Sequence, residues 1–456
     1  MTQAEIFVDN DVILDGEGNL TVDGDKEHRV FSVSENVTVE LRGLTVTGGS
    51  SLPPDFGGGI FNGGKLTLVN TVVRDNIAQD DFECCRDPSW NAGGGIHNDG
   101  ELTLVSSTVS GNAAFTGGGI ASHGGELTMS NSTISGNTAA DGGGIYNGGV
   151  SRISNSTISG NTAADGAGIY NGVDAALTTT NSVVSENTAG QDGGGIYNSL
   201  GDVELAASTV LLNTAERGGG GIYNHGELTM TSSTIWRNVA EGTDDCPNPN
   251  PCPGGGGGIF NLRELTMTNS TVSANTSKSG GGGVSNRDVG SCTLINSTLS
   301  GNTARDDGGG ISNRDRGSYT LINCTVSGNA APQGSAMSKS GNQSVTIRNS
   351  LVDGDCTGPS DFTSNSYNVE SPGDTCGFHQ EGDQVDVSSD DLKVGPLQDN
   401  GGPTETHALG AGSVAIDQIP VEDCVDADGA PLTTDQRGEP RPGGTMCDVG
   451  AFEVQP

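Results

Sequence analysis

The amino-acid sequence predicts an all-β fold, a right-handed parallel β-helix of about twelve coils, and three observations carry that expectation. Gly-Gly-Gly followed by a branched apolar residue recurs, with small variations, at Ile60, Ile96, Ile120, Ile145, Ile169, Ile196, Ile222, Ile259, Val284 and Ile311, and Met337 is a degenerate last copy. Successive differences are 36, 24, 25, 24, 27, 26, 37, 25, 27 and 26, so eight steps share one length and two carry an insertion. Each repeat also holds a block such as Leu127-Thr-Met-Ser-Asn-Ser-Thr-Ile-Ser-Gly-Asn137, in which apolar and hydroxyl residues alternate with the period of a strand. No amphipathic helical stretch of about 10 residues is found, which disfavours helix-bearing repeats. The right-handed coil follows from the twist of strands built of L-residues.

The elements follow in chain order. Ile6-Phe-Val-Asp and Val12-Ile-Leu-Asp-Gly read as strands, and the β-helix is expected over residues 12–355, within a first domain of 1–355. In the typical block, Leu127, Met129 and Ile134 can all point inward only if the chain turns near Asn131 and resets the side-chain parity. Each coil is therefore two or three short strands joined by corners. Asn closes the block at 76, 112, 137, 161, 187, 213, 238, 275, 302 and 329, with Asp355 in the eleventh place. Coils stack about 4.8 Å apart, so such amides can hydrogen-bond up the stack, and ten equivalent copies point to a structural role.

Composition fits a narrow core: Gly is 75 of 456 residues and aromatic residues are only 4%. The formal charge of −37, from 57 acidic and 20 basic residues, argues against a nucleic-acid partner, and solubility of a long sheet surface, a saline habitat or a surface that collects divalent cations would each produce it. No apolar run is long enough for a membrane span, and Met1-Thr-Gln-Ala-Glu-Ile lacks a secretory signal, which suggests a mature exported domain. Ten Cys point to an oxidising compartment. Cys246 and Cys252 are placed to staple one insertion, Cys84 and Cys85 lie in the other with no evident pairing, and Cys292 and Cys324 align with inward positions as buried thiols.

Beyond the repeats, Val394-Gly-Pro-Leu-Gln-Asp-Asn-Gly-Gly-Pro-Thr-Glu-Thr-His407 is followed by Gly412-Ser-Val-Ala-Ile-Asp417, Thr434-Asp-Gln-Arg-Gly-Glu-Pro-Arg-Pro442 and Cys447-Asp-Val-Gly-Ala-Phe-Glu453. These words in this order resemble the choice-of-anchor Q domain of bacterial and archaeal surface proteins, and the first coils resemble that family's customary β-helix. The Gly-Gly-Gly-Ile and Ser-Gly-Asn-Thr-Ala words are more loosely similar to polymorphic outer-membrane autotransporter passengers. The first resemblance implies secretion and surface display, a C-terminal domain at 356–456, and disulfides joining Cys356 to Cys376 and Cys424 to Cys447. Such bridges would brace a loop-rich end that caps the solenoid.

The residue after each inward Ile should face outward, which sets Phe61, His97, Ala121, Tyr146, Tyr170, Tyr197, Tyr223, Phe260, Ser285 and Ser312 in one column, with Tyr146, Tyr170, Tyr197, Tyr223 and Phe260 as its aromatic run. Stacked rings can protect a sheet, or they can offer sugars an apolar platform. Insertions at residues 79–91 and 241–253 leave the same corner six coils apart, about 29 Å, and would wall this face with Trp90 and Trp236 in or near them. Asp141, Asp165, Asp192, Glu216 and Asp307 form a carboxylate column, whose repetition suits a solvated or cation-binding edge better than a glycosidase pair. Arg287, Arg314 and Arg316 beside Asp288 and Asp315 are candidates for the base and Ca²⁺-binding carboxylates of a polysaccharide lyase, but their repetition favours a structural or surface ion-pair role. Asp426 and Asp428 match part of a Ca²⁺ loop, with Cys424 where the first acidic ligand would stand.

Together these features predict a secreted or cell-surface β-helix acting in adhesion or matrix contact, binding polysaccharide or a cell-surface glycan through Tyr146, Tyr170, Tyr197, Tyr223, Phe260 and Trp236. No asymmetric catalytic constellation stands out, so binding is favoured over turnover. A β-helical polysaccharide lyase or glycoside hydrolase is the alternative, and a purely structural stalk the second.

Overall fold

The computed structural model describes residues 4–51, 56–78, 92–243, 254–341, 343–360 and 362–456. It is an all-β parallel solenoid of about twelve turns, as the repeat predicts. Among the described residues the α-helical content is a single turn, Ser389–Leu392. The chain divides into two compact units, Met1–Glu204 with Thr209–Ala215, and Leu205–Ser208 with Glu216–Pro456.

One coil of the first unit shows how the repeat is used. Its strands are Ile145–Asn147, Val150–Ser154, Thr157–Ser159 and Thr162–Ala163. Each pairs in parallel with its equivalent one coil on, with Ile145 opposite Ile169, Ile158 opposite Val184 and Thr162 opposite Thr188. The inward residues of this and the preceding coil, Leu127, Met129, Ile134, Ile145 and Ile158, are fully buried. The parity reset comes from Asn131, whose φ of 49° lies in the left-handed region that Asn tolerates better than most residues.

The glycine triplet has a distinct reason at each position. Gly142 has φ of 64°, whereas a Cβ on Gly143 or Gly144 would stand 2.5 Å from a carbonyl oxygen of the next coil, Thr162 O or Gly168 O. The first glycine supplies the turn, and the other two let consecutive coils approach.

The asparagine column forms as expected. In the first unit Nδ2 of Asn76, Asn112, Asn137, Asn161 and Asn187 donates to Oδ1 of the next member, ending at Asn213, at 2.9 to 3.0 Å. In the second unit Asn238, Asn275, Asn302 and Asn329 repeat the pattern. A second column stands directly after the outward residue of each coil: Asn147 donates to Asn171 and Asn171 to Asn198, while Asn224, Asn261, Asn286 and Asn313 are joined likewise in the other unit. These buried amides satisfy corner backbone groups that the strands leave unpaired.

In the second unit parallel pairing continues past residue 355, since Leu351–Asp353 pairs with Val369–Ser371. Cys356 is bonded to Cys376 within this last part of the coil stack, and Cys424 to Cys447 beyond it. Cys292 and Cys324 are reduced and buried. Cys84, Cys85, Cys246 and Cys252 lie outside the described residues.

The C-terminal segment is more than an end cap, because it lies along the outer surface of the preceding coils. Thr271 Oγ1 donates to Glu405 O at 2.7 Å, Thr298 Oγ1 to Gln436 Oε1 at 2.6 Å, and His407 Nε2 meets Ser300 Oγ at 2.9 Å. Accordingly Thr271, Ser273, Thr298, Ser300, Thr325 and Ser327 are buried, whereas the equivalent Thr133, Ser135, Thr157 and Ser159 of the first unit stay partly exposed. The segment brings a small core of its own, centred on Leu392, Ile419, Val449, Phe452 and the Cys424–Cys447 bridge. Arg441, fully buried, pairs with Glu453 at 3.0 Å and donates to Asn296 Oδ1, tying this core to the coils.

Candidate functional site: a stacked aromatic face

Parallel register places the residue after each inward Ile directly above its equivalent, so Tyr146 stands opposite Tyr170 and Tyr170 opposite Tyr197. Their rings stack with centroids 5.2 and 5.0 Å apart and planes 10° and 13° from parallel. Strand spacing dictates this distance, and side chains with the same rotamer on successive strands lie face to face.

The stack runs beyond the tyrosines to Phe61 and His97, which the column includes, and gains Phe56 and His123, which it does not. Phe61 and His97 extend it at 5.6 Å, and Phe56 also stacks on His97 at 4.5 Å. The next coil carries Ala121, and its missing ring is replaced by His123 from two residues further on, 5.2 Å from His97 and 5.0 Å from Tyr146. Column reading passes over His123 because it stands out of register. The usable signal was an Ala gap followed by an aromatic two positions later, on the same face of the chain.

This geometry revises the expected platform. The ring faces are occupied by one another, so a sugar cannot lie flat on them; what remains outward are ring edges and phenolic hydroxyls. Tyr146, Tyr170 and Tyr197 are partly exposed. In the second unit Tyr223 stacks on Phe260 at 5.1 Å, but Tyr223 is only 8% exposed and Phe260 is fully buried. The Arg287 guanidinium lies 5.6 Å above the Phe260 ring and donates to Gly254 O, which removes Phe260 from any ligand surface. Trp236 belongs to Thr234–Trp236, opposite Ser273 on a different strand of the coil, and stacks under Arg237 at 4.3 Å. It does not join the aromatic column. Trp90 and residues 79–91 and 244–253 lie outside the described residues.

Carboxylates accompany the three tyrosines. Asp141 and Asp165 pair as a parallel bridge, and Asp165 Oδ1 accepts from the backbone of Asp192 at 3.0 Å. Burial and then the charge of Asp165 push the Asp141 carboxyl up to about 6. The Tyr146 hydroxyl is raised by burial, then by Tyr170 and Asp141. That of Tyr170 is raised by burial and by Asp141 and Asp165, against a hydrogen bond to Ser199. These phenols therefore stay protonated and remain hydrogen-bond donors at neutral pH.

The two histidines of the stack sit in different surroundings. His97 is almost fully buried and its Nε2 lies 3.0 Å from Asp99 Oδ1. Burial, and then repulsion from His97, bring His123 down to about 4.

Several of the other sequence candidates are drawn into structural contacts. Asp307 pairs with Arg314 at 2.9 Å and accepts the Ser312 hydroxyl at 2.6 Å, while Arg316 faces Asp288 at 3.4 Å on the surface. Glu216 is exposed. Asp426 Oδ1 accepts the backbone N–H groups of Asp428 and Ala430 at 3.0 and 2.9 Å, closing its own turn. Among the described residues no group of three or more His, Cys, Asp or Glu side chains is arranged to hold a metal ion.

Residues 181–199, one corner, the Asn187 step and the glycine triplet of a single coil, match the repeat of the Chlamydia polymorphic membrane protein family. The chain is similar to a solved structure described as pectate lyase Pel9A, at 13% identity over 98% of this chain and 97% of the other, with a TM-score of 0.34. No curated protein matches the chain.

Proposed function

We propose that this protein is a secreted or surface-displayed β-helix that binds polysaccharide or a cell-surface glycan in adhesion or matrix contact, and that it carries a choice-of-anchor Q-like C-terminal domain. The observation that carries the binding reading is the row of partly exposed tyrosines, Tyr146, Tyr170 and Tyr197, beside Asp141 and Asp165. Phenolic O–H groups donate and carboxylates accept, the complementary set for sugar hydroxyls, and the stacked rings hold them at a regular spacing. The recognition is thus by ring edges and hydroxyls rather than by stacking on an open face. Support for the location comes from the two disulfides and from the likeness of one coil to a polymorphic membrane protein repeat. A glycan array probed with the intact chain and with Tyr170→Phe/Tyr197→Phe tests the reading: weakened binding supports it, and equal binding by both removes the tyrosine face as the site.

One observation favours turnover as a second reading. Asp141, raised to about 6 next to Asp165, has the protonation behaviour of a general acid beside a second carboxylate. Release of reducing ends from a polysaccharide panel without the ultraviolet absorbance of an unsaturated product, lost in Asp141→Asn, would establish a glycoside hydrolase.

A further inference from the structure

The word Asn-Ser-Thr-apolar-Ser stands at residues 131–135 and 155–159 in the first unit and at residues 269–273 and 296–300 in the second. Its corner Asn has one conformation throughout, with φ of 49°, 47°, 52° and 47°. In each unit the two copies lie one coil apart, Thr133 opposite Thr157 and Thr271 opposite Thr298. Equal sequence, corner and register give the four copies the same outward groups.

In the second unit the chain's own C-terminal segment fills this surface in a specific way. Asn296 Nδ2 donates to Thr434 O at 2.9 Å, and two residues further along the segment the Gln436 carboxamide spans the step between coils. Its Nε2 donates to Thr271 Oγ1 at 2.8 Å and its Oε1 accepts from Thr298 Oγ1 at 2.6 Å. All three side chains are fully buried. Hydroxyls on neighbouring strands stand about 4.8 Å apart, and a primary carboxamide, with donor and acceptor side by side, bridges such a pair.

In the first unit the same surface is open. Asn131 and Asn155 are exposed, and Thr133, Ser135, Thr157 and Ser159 are partly exposed. They lie on another strand of the coil from Tyr146, so this is not the tyrosine face. The chain's own Gln436 is committed to Thr271 and Thr298, and in a second copy the same residue is committed in the same way. The occupant therefore comes from a different protein. We propose that residues 131–135 and 155–159 form an interaction surface for an extended segment of a partner protein, one that carries Gln two residues after a free backbone carbonyl, as Thr434–Gln436 does. The corner Asn131 and Asn155 take the carbonyl, and the Thr133 and Thr157 hydroxyls take the carboxamide.

The test uses the intact chain and a labelled, capped peptide of residues 432–440, with its Gln436→Leu analogue, read by fluorescence anisotropy. The native peptide should bind at least about tenfold more tightly than the analogue, the effect of losing two hydrogen bonds. Thr133→Val/Thr157→Val, which keeps the branched shape of both side chains, should abolish that preference while the thermal melt stays close to that of the wild type. A photoreactive form of the peptide should crosslink within residues 126–160. Crosslinks within residues 269–300 would mean exchange with the chain's own segment and would overturn the proposal. Equal binding of the two peptides, binding of neither, or glycan binding that Thr133→Val/Thr157→Val abolishes would overturn it as well.

Discussion

The Tyr146 and Tyr170 rings lie face to face, 5.2 Å between centroids and 10° from parallel, so each covers the surface that a sugar ring would need for stacking. Their hydroxyls are left as the polar part of this face. Tyr→Phe and Tyr→Ala substitutions therefore report different things.

If hydroxyls carry glycan recognition, Tyr170→Phe/Tyr197→Phe should weaken binding by about 0.5–1.5 kcal/mol per lost hydrogen bond while leaving the stack intact. Tyr170→Ala/Tyr197→Ala should lower stability as well, because about 0.5–1.5 kcal/mol per aromatic pair goes with the rings. Isothermal titration with the best glycan of the array, paired with thermal melts, separates the two effects.

Asn161 both accepts from Asn137 and donates to Asn187 and to Ile134 O. Asn161→Ala strands buried donors and acceptors above and below, each costing about 1–3 kcal/mol. A clear fall in the denaturation midpoint is expected. An exposed substitution on the same coil, Thr162→Ala, should change it little.

Acid should act on this face in two opposed ways. His123, brought down to about 4 from 6.5, contributes stability that is present above pH 6.5 and lost as the pH falls through about 4. Asp141, raised from 3.8 to about 6, has the reverse sign: the folded form holds its proton more tightly, so its contribution is present below pH 3.8 and lost as the pH rises through about 6. His123→Phe should therefore improve stability between pH 4 and 6 and keep the aromatic stack, whereas Asp141→Asn should remove the loss on the neutral side. Denaturation midpoints across pH 3.5 to 7.5 for the three proteins read both signs directly.

Burial pushes the thiols of Cys292 and Cys324 up to about 12. Neither should react with iodoacetamide at pH 8 until the chain is unfolded. Non-reducing peptide maps should link Cys356 to Cys376 and Cys424 to Cys447, and reduction should destabilise the C-terminal half by about 3 kcal/mol per bridge for loops of 20 and 23 residues. A map joining Cys356 to Cys447 would refute this arrangement.

Much of the architecture was legible in the repeat. A residue at a fixed place in every coil can have only one environment, so the inward Ile column, the Asn131 turn and the Asn76 to Asn329 positions followed from periodicity. The second Asn column was equally periodic but was masked by lying directly after the conspicuous Ile-Tyr pair. Tyr223 and Phe260 share the motif of Tyr146 and Tyr170 yet are covered, and no count within the repeat distinguishes them.

By itself, then, the sequence determined what each coil must do alone or with its neighbour: strand parity, corner glycines, amide stacking and the direction of each side chain. Tertiary structure alone decided which outward positions meet solvent. Gln436, Glu405 and His407 reach Thr298, Thr271 and Ser300 across more than 100 residues of chain, and His123 replaces the ring that Ala121 lacks. Local patterning encodes contacts at a fixed sequence separation. A covering segment or a substitute ring arrives from outside that period, so its position depends on packing rather than on the repeat.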